Sequence, residues 1–176
     1  VYETDGRAFL ATVKEPYEWV VIDAYQGAEI PSHLVTEEFF RLLSDRMTPG
    51  GVLSINVAWW SPEETELLEY LVATVKTAFP MVCAVTDIGG RSAVILAGGE
   101  DASIANIMSN AEATGHGGLE AIAEETLAQG EPRVEFVDRQ AEVLTDDRAY
   151  LQDIVDRLYL GMRRQAFERE REVLQF

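Results

Sequence analysis

Two patterns alternate along residues 1–97: short runs of consecutive apolar residues, and stretches where apolar residues return every three or four positions. Trp19-Val20-Val21-Ile22 is such a run, and Val52 to Val57 reads as a second apolar strand. A run without polar alternation predicts a strand buried on both faces, the mark of a central parallel strand. Between them, Phe39, Leu42, Leu43 and Met47 form the inner stripe of a helix. Thr36 stands before that stripe as N-cap. Glu37 and Glu38 occupy the first turn, where the helix dipole favours anions. Pro49-Gly50-Gly51 ends the helix.

The alternation continues in both directions. Ser61-Pro62-Glu63-Glu64 reads as a helix start, with N-cap, Pro at N1 and Glu at N3 in a capping box. Leu67, Leu68, Leu71, Val72 and Val75 then point inward, and the helix stops before Pro80. Two strands follow near 82–86 and 92–97, split by Gly89-Gly90. Upstream, Val1-Tyr2 reads as the end of a strand running into a turn at Thr4 to Arg7, and 8–13 as a short helix. The predicted order is strand, helix, strand, helix, strand, helix, strand, strand. That order predicts an α/β fold: a parallel sheet covered by helices on both faces, with one antiparallel edge strand from the final pair.

Residues beyond 97 are less regular. Helices are expected over 104–113 and 119–128, ended by Gly115 and Gly130, with a short strand over 134–137. "LTDDRAY" (144–150) reads as a turn and helix start. A last helix is expected over 149–173, amphipathic through Leu151, Ile154, Val155, Leu158 and Met162 and then mostly charged.

Composition narrows the classes. The 176 residues amount to one domain. No apolar run approaches the ~20 residues of a membrane span, and no charged-then-apolar leader opens the sequence. A soluble, cytoplasmic protein is expected. The single cysteine, Cys83, excludes an internal disulfide and reads as a small core residue. Lys plus Arg total 14 against 31 Asp plus Glu, a net charge of −17, and only Lys14 and Lys76 are lysines. Such a surface repels phosphate backbones, so nucleic acid is not an expected partner. The acidic, lysine-poor surface fits a protein of concentrated salt, or an arginine-biased acidic protein of ordinary cytoplasm.

In a doubly wound sheet, ligands bind outside the carboxyl ends of the strands. Asp5 and Asp23 stand at two such ends. Asp23 neither alternates with the run before it nor starts the next helix. It either caps a nearby loop or faces a ligand. The loop after it, 24–32, is long for a connection of this kind, as binding loops are.

Three segments, "DGRAFL", "YEWVVIDAYQGAEIPSHLVTEEFF" and "MTPGGVLSINV", in this order and spacing resemble the spermidine synthase family, the polyamine aminopropyltransferases. The likeness is to their divergent spermidine synthase-like members, and "LTDDRA" is similar to a segment those members also carry. It covers residues 1–97 well and 143–158 loosely. The resemblance implies a Rossmann-like class I methyltransferase fold. Residues 1–97 would be the C-terminal part of that α/β domain, and 98–176 a helical insertion and the C-terminal helix of the same domain. It implies decarboxylated S-adenosylmethionine as aminopropyl donor, a polyamine as acceptor, no metal, and a homo-oligomer.

The resemblance also implies roles. Asp5 matches the acid that accepts a hydrogen bond from the adenine amino group, and Gly6 and Arg7 complete that motif. Asp23 matches the acid that contacts the substrate amine and helps deprotonate it. An ammonium cannot attack while protonated, and a carboxylate both attracts it and takes its proton. Two departures stand against this. Gln26 occupies the place of a second acid, for which Glu29 in the same loop is the candidate substitute. The glycine-rich turn after the family's first strand and the acid after its second are missing. The chain therefore reads as the C-terminal two thirds of a longer protein, or as one whose remainder a partner supplies. Two further readings stay open: a methyltransferase using S-adenosylmethionine itself, and a non-catalytic fragment or assembly domain.

Other residues weigh less. Tyr25 either lines the amine pocket or packs under the loop, and His33 either titrates near neutral pH or is structural. Trp59-Trp60 reads as packing or an oligomer contact, and His116-Gly117-Gly118 as a turn. Asp146 reads as a helix cap.

Overall fold

A computed structural model describes residues 1–24, 30–58, 65–86, 92–102, 107–118, 120–121, 124, 141–148, 151–157 and 160–161. In chain order its elements are α1 (Gly6–Thr12), β1 (Tyr17–Ile22), a 3-10 turn (Ser32–Leu34), α2 (Glu37–Ser44), β2 (Met47–Ala58), α3 (Glu66–Val75), β3 (Met81–Thr86), β4 (Ser92–Gly98) and α4 (Ile107–Thr114). Residues 151–157 are helical as well.

The four strands form one sheet in the order β1-β2-β4-β3. β1 and β2 are parallel, with Ile22 beside Ile55. β4 runs antiparallel to both β2 and β3. The one opposed strand therefore lies inside the sheet, and β3 forms the edge; the expected edge strand is an inner one. The reason lies in chain reach. The short β3–β4 connection makes an antiparallel hairpin, and the apolar β4 then fills the place next to β2.

Register puts one face of the sheet in the core. Ile22, Leu53, Ile55, Val57, Ile95, Ala97, Val82 and Ala84 share that face and are all buried. Against it pack Phe39, Phe40 and Leu43 of α2, and Leu68, Leu71 and Val75 of α3. Leu144, Leu151, Ile154 and Val155 join the same cluster. At β1 the opposite face is open where two covered faces were expected. Trp19 is 67% and Val21 55% exposed, with Val52 and Val94 beside them. The apolar run of β1 marks a strand suited to cover on both sides, but its ladder to β2 is its only one among the described residues.

Local chemistry explains most boundaries. Thr36 caps α2, its hydroxyl accepting from the Phe39 N–H. Asp5 caps α1, its carboxylate accepting from the Ala8 N–H at 2.9 Å. α1 therefore starts earlier than its apolar spacing implies, and the expected turn at 4–7 is its first turn. Val1 and Tyr2 are exposed coil rather than strand, with no ladder to pair them among the described residues.

β2 is longer than its apolar run because Met47 to Gly50 join it. The partner of β1 jumps from Met47, opposite Tyr17, to Val52, opposite Trp19. This irregularity needs Gly51, where a Cβ would lie 3.0 Å from the Thr48 carbonyl oxygen and 3.1 Å from that of Tyr17. α3 begins at Glu66 with Thr65 at its N-cap. The expected capping box at 61–64 lies outside the described residues, as do the strand at 134–137 and Trp59-Trp60. Among the described residues, no helix is long and apolar enough to cross a membrane.

Candidate active site

Asp23 stands where β1 ends, one residue past the Ile22–Ile55 pair. That register carries it beside Asn56 of β2, whose side-chain amide donates to Asp23 Oδ1 at 2.9 Å. Asn56 was not among the residues singled out from the sequence. Its signal is an amide in a mainly apolar strand, and it acquires meaning only once the β1–β2 register is known. The bond holds one carboxylate oxygen in place. Asp23, Ala24 and Gly6 line a cavity of about 440 Å³, with Phe9, Leu10, Leu34 and Phe39 among its mostly apolar walls. That volume is within the range of small-molecule sites.

Asp5 and His33 form a second pair, with His33 Nε2 2.6 Å from Asp5 Oδ2. Both oxygens of Asp5 are thus engaged, one by the Ala8 N–H and the other by the imidazole. These two hydrogen bonds hold its carboxyl below the usual aspartate range. Arg7, in the same turn, reaches away to Asp146. Its two terminal nitrogens each donate to one carboxylate oxygen at 2.7 Å, a bidentate grip. Arg7 also donates to the His33 carbonyl at 3.2 Å. The Thr36 hydroxyl donates to Asp146 Oδ1 at 2.8 Å.

Arg7, against some opposition from desolvation, keeps the Asp146 carboxyl below its ordinary range. Any capping by Asp146 of residues 149–150 lies outside the described residues. What anchors the 144–148 turn is Leu144. It is fully buried, its N–H donates to the buried Thr74 hydroxyl at 3.0 Å, and its carbonyl accepts from Glu37 at 2.8 Å. Burying such a side chain contributes about 1.5–3 kcal/mol, whereas a largely exposed ion pair contributes about 0–1 kcal/mol.

Of the eight residues singled out for the site, the structure describes Asp5, Gly6, Arg7, Asp23 and His33. Tyr25, Gln26 and Glu29 lie outside the described residues. Gly6 and Asp23 meet at the cavity, and Asp5, Arg7 and His33 are joined by hydrogen bonds.

Two outcomes test this geometry. Asn56→Leu removes the amide held on Asp23 Oδ1, and the Asp23 side-chain carboxyl carbon signal is expected to move, which carbon-13 NMR of the variant reads. Acid is expected to weaken the contacts of Asp5 and Asp146. Asp5 and Asp146 have folded pKa values below the ordinary value of about 3.9. Their contribution to stability is present above that value and is lost as pH falls through the folded values. Melting temperature between pH 5 and 2 should therefore drop, and drop less in Asp146→Asn.

No family model matches the chain. The chain is 35% identical over 75 residues to a probable polyamine aminopropyl transferase of Bifidobacterium longum. That match covers 43% of this chain and 17% of that protein. A probable spermidine synthase structure from Corynebacterium glutamicum superposes with a TM-score of 0.59 at 22% identity, covering 81% of this chain and 52% of that one. Human methyltransferase-like protein 13, solved in complex with SAH, superposes at 0.51 and 16% identity, covering 72% and 58%. The chain thus spans about half the length of these solved proteins and less than a fifth of the curated relative. The fold is that of the class I methyltransferase-like proteins. Within that class, the sequence likeness is to the polyamine aminopropyltransferases.

Proposed function

We propose that this chain forms part of a spermidine synthase-like aminopropyltransferase, which moves an aminopropyl group from decarboxylated S-adenosylmethionine to a polyamine. The observation that carries the proposal is Asp23. It stands at the carboxyl end of a parallel strand, held by Asn56, on an apolar cavity of about 440 Å³. The likeness to a probable polyamine aminopropyl transferase supports the same reading.

The chemistry follows from charge and position. The acceptor amine arrives protonated and is drawn to Asp23 and to a chain of net charge −17. Asp23 takes the proton, directly or through water, freeing the nitrogen lone pair. The nitrogen bonds to the carbon next to the sulfonium. The carbon–sulfur bond breaks with its electrons going to sulfur, and methylthioadenosine leaves. The sulfonium is already a good leaving group, so in-line positioning supplies much of the remaining catalysis.

In this reading Asp5, Gly6 and Arg7 form the nucleoside end of the cleft. Asp5 has both oxygens engaged, so an adenine amino group would donate to an oxygen that already holds one donor, beside the ring that His33 keeps there. Tyr25, Gln26, Glu29 and His33 would border the acceptor.

A second reading, a methyltransferase using S-adenosylmethionine, is favoured by Gln26 in place of a second acid. Titration with S-adenosylmethionine, its decarboxylated form and methylthioadenosine, at low and high salt, separates them. Selective binding of the decarboxylated donor is the expected result. Preference for S-adenosylmethionine would move the assignment to methyl transfer, and no binding of any would remove both.

A further inference from the structure

Asp146 lies 139 residues from Arg7 in sequence, yet both of its oxygens face that guanidinium. It also ties three pieces of the site together. Arg7 belongs to the turn after Asp5, Thr36 ends the connection from β1 to α2, and His33, whose carbonyl Arg7 also holds, lies between them. The backbone N–H of Asp146 donates to Glu38 Oε2 at 3.0 Å, which fixes the turn against the start of α2.

The anchoring of this turn does not need the carboxylate. Leu144 supplies it through full burial and two backbone hydrogen bonds, one to the buried Thr74. The Arg7–Asp146 pair is 26% and 43% exposed, where ion pairs add little to stability. Its bidentate form nonetheless fixes direction, since a planar guanidinium meeting both oxygens has one orientation. What depends on Asp146 is therefore where Arg7 points, and through the His33 carbonyl, where the His33 ring sits.

We propose that Asp146 is a positioning residue for the nucleoside end of the cleft: by holding Arg7 and Thr36 it keeps the His33 imidazole on Asp5 Oδ2. The geometric part stands alone. The claim that this end binds a nucleoside rests on the aminopropyltransferase reading above.

The experiment uses Asp146→Asn, with Asp147→Asn as the neighbouring control. The ring signals of His33 are followed by NMR without ligand, assigned through His33→Gln against the other histidine, His116. In Asp146→Asn the His33 signals are expected to move toward those of a free imidazole. They should stay in place in Asp147→Asn, and the melting temperature should change by no more than about 3 °C at neutral pH. Calorimetric titration with methylthioadenosine is expected to show about a tenfold rise in Kd in Asp146→Asn. Unchanged His33 signals overturn the proposal, whatever the ligand does. An unchanged Kd in a protein whose parent binds methylthioadenosine overturns it as well. If the parent binds none, the functional reading fails, and the His33 signals still decide whether Asp146 positions the ring.

Discussion

Asp23→Asn is expected to lower kcat by about 10²–10⁴-fold, while the Kd of the nucleoside co-substrate stays within about twofold. The substitution is nearly isosteric. Its carbonyl oxygen still accepts from the Asn56 amide, which now holds Asp23 Oδ1. On the proposed function, what disappears is the negative charge that would attract an ammonium and the basic oxygen that would take its proton. The loss should therefore fall on turnover and on acceptor KM. Methylthioadenosine release over time measures the first, and calorimetry with methylthioadenosine measures the second half of the expectation. A variant that turns over like the parent would remove Asp23 from the mechanism. A variant that loses nucleoside binding equally would make Asp23 a structural residue of the cavity wall.

The largest expected effect on stability belongs to Phe40. Its side chain is fully buried in the cluster between α2 and the sheet, with its ring 5.5 Å from that of Phe39. Phe40→Ala should cost about 3–5 kcal/mol, the transfer loss plus the cavity left behind. Domains of this kind have about 5–15 kcal/mol in total, so the variant would be marginal. For this size the change corresponds to a fall of roughly 6–20 °C in melting temperature. Thermal unfolding followed by circular dichroism reads it. A change below about 1 kcal/mol would mean that α2 does not pack on the sheet as described. The contacts of the site should be lost with the fold: Thr36 caps α2, and its hydroxyl also reaches Asp146.

These two residues differ in how they announce themselves. Phe40 stands next to the stripe of Phe39 and Leu43, and helical spacing alone places that stretch in the core. Asp23 is an acid that interrupts an apolar run, and strand chemistry alone makes it a ligand-facing candidate. Asn56 and Asp146 carry no comparable mark. An amide in a strand reads as an ordinary polar residue, and the first acid of "TDD" as a helix cap, until their partners are known. Asp5 shows the converse. Its expected place at the carboxyl end of a strand makes it a ligand-contact candidate in the sequence, whereas the structure puts coil before it and gives it a capping task on α1 and a histidine partner.

The sequence by itself determined the alternation of strands and helices over residues 17–98, the cap at Thr36, and the placing of Asp23 after a strand. These depend on residues a few positions apart, and side-chain periodicity, capping chemistry and glycine sterics act at that range. Only the tertiary structure decided that β4 lies inside the sheet, that Trp19 and Val21 face outward, that Asn56 meets Asp23, and that Asp146 grips Arg7. Each of those depends on the register between strands or on contacts spanning 33 to 139 residues. Such contacts are selected by how whole faces bury together, a property no local window of sequence contains.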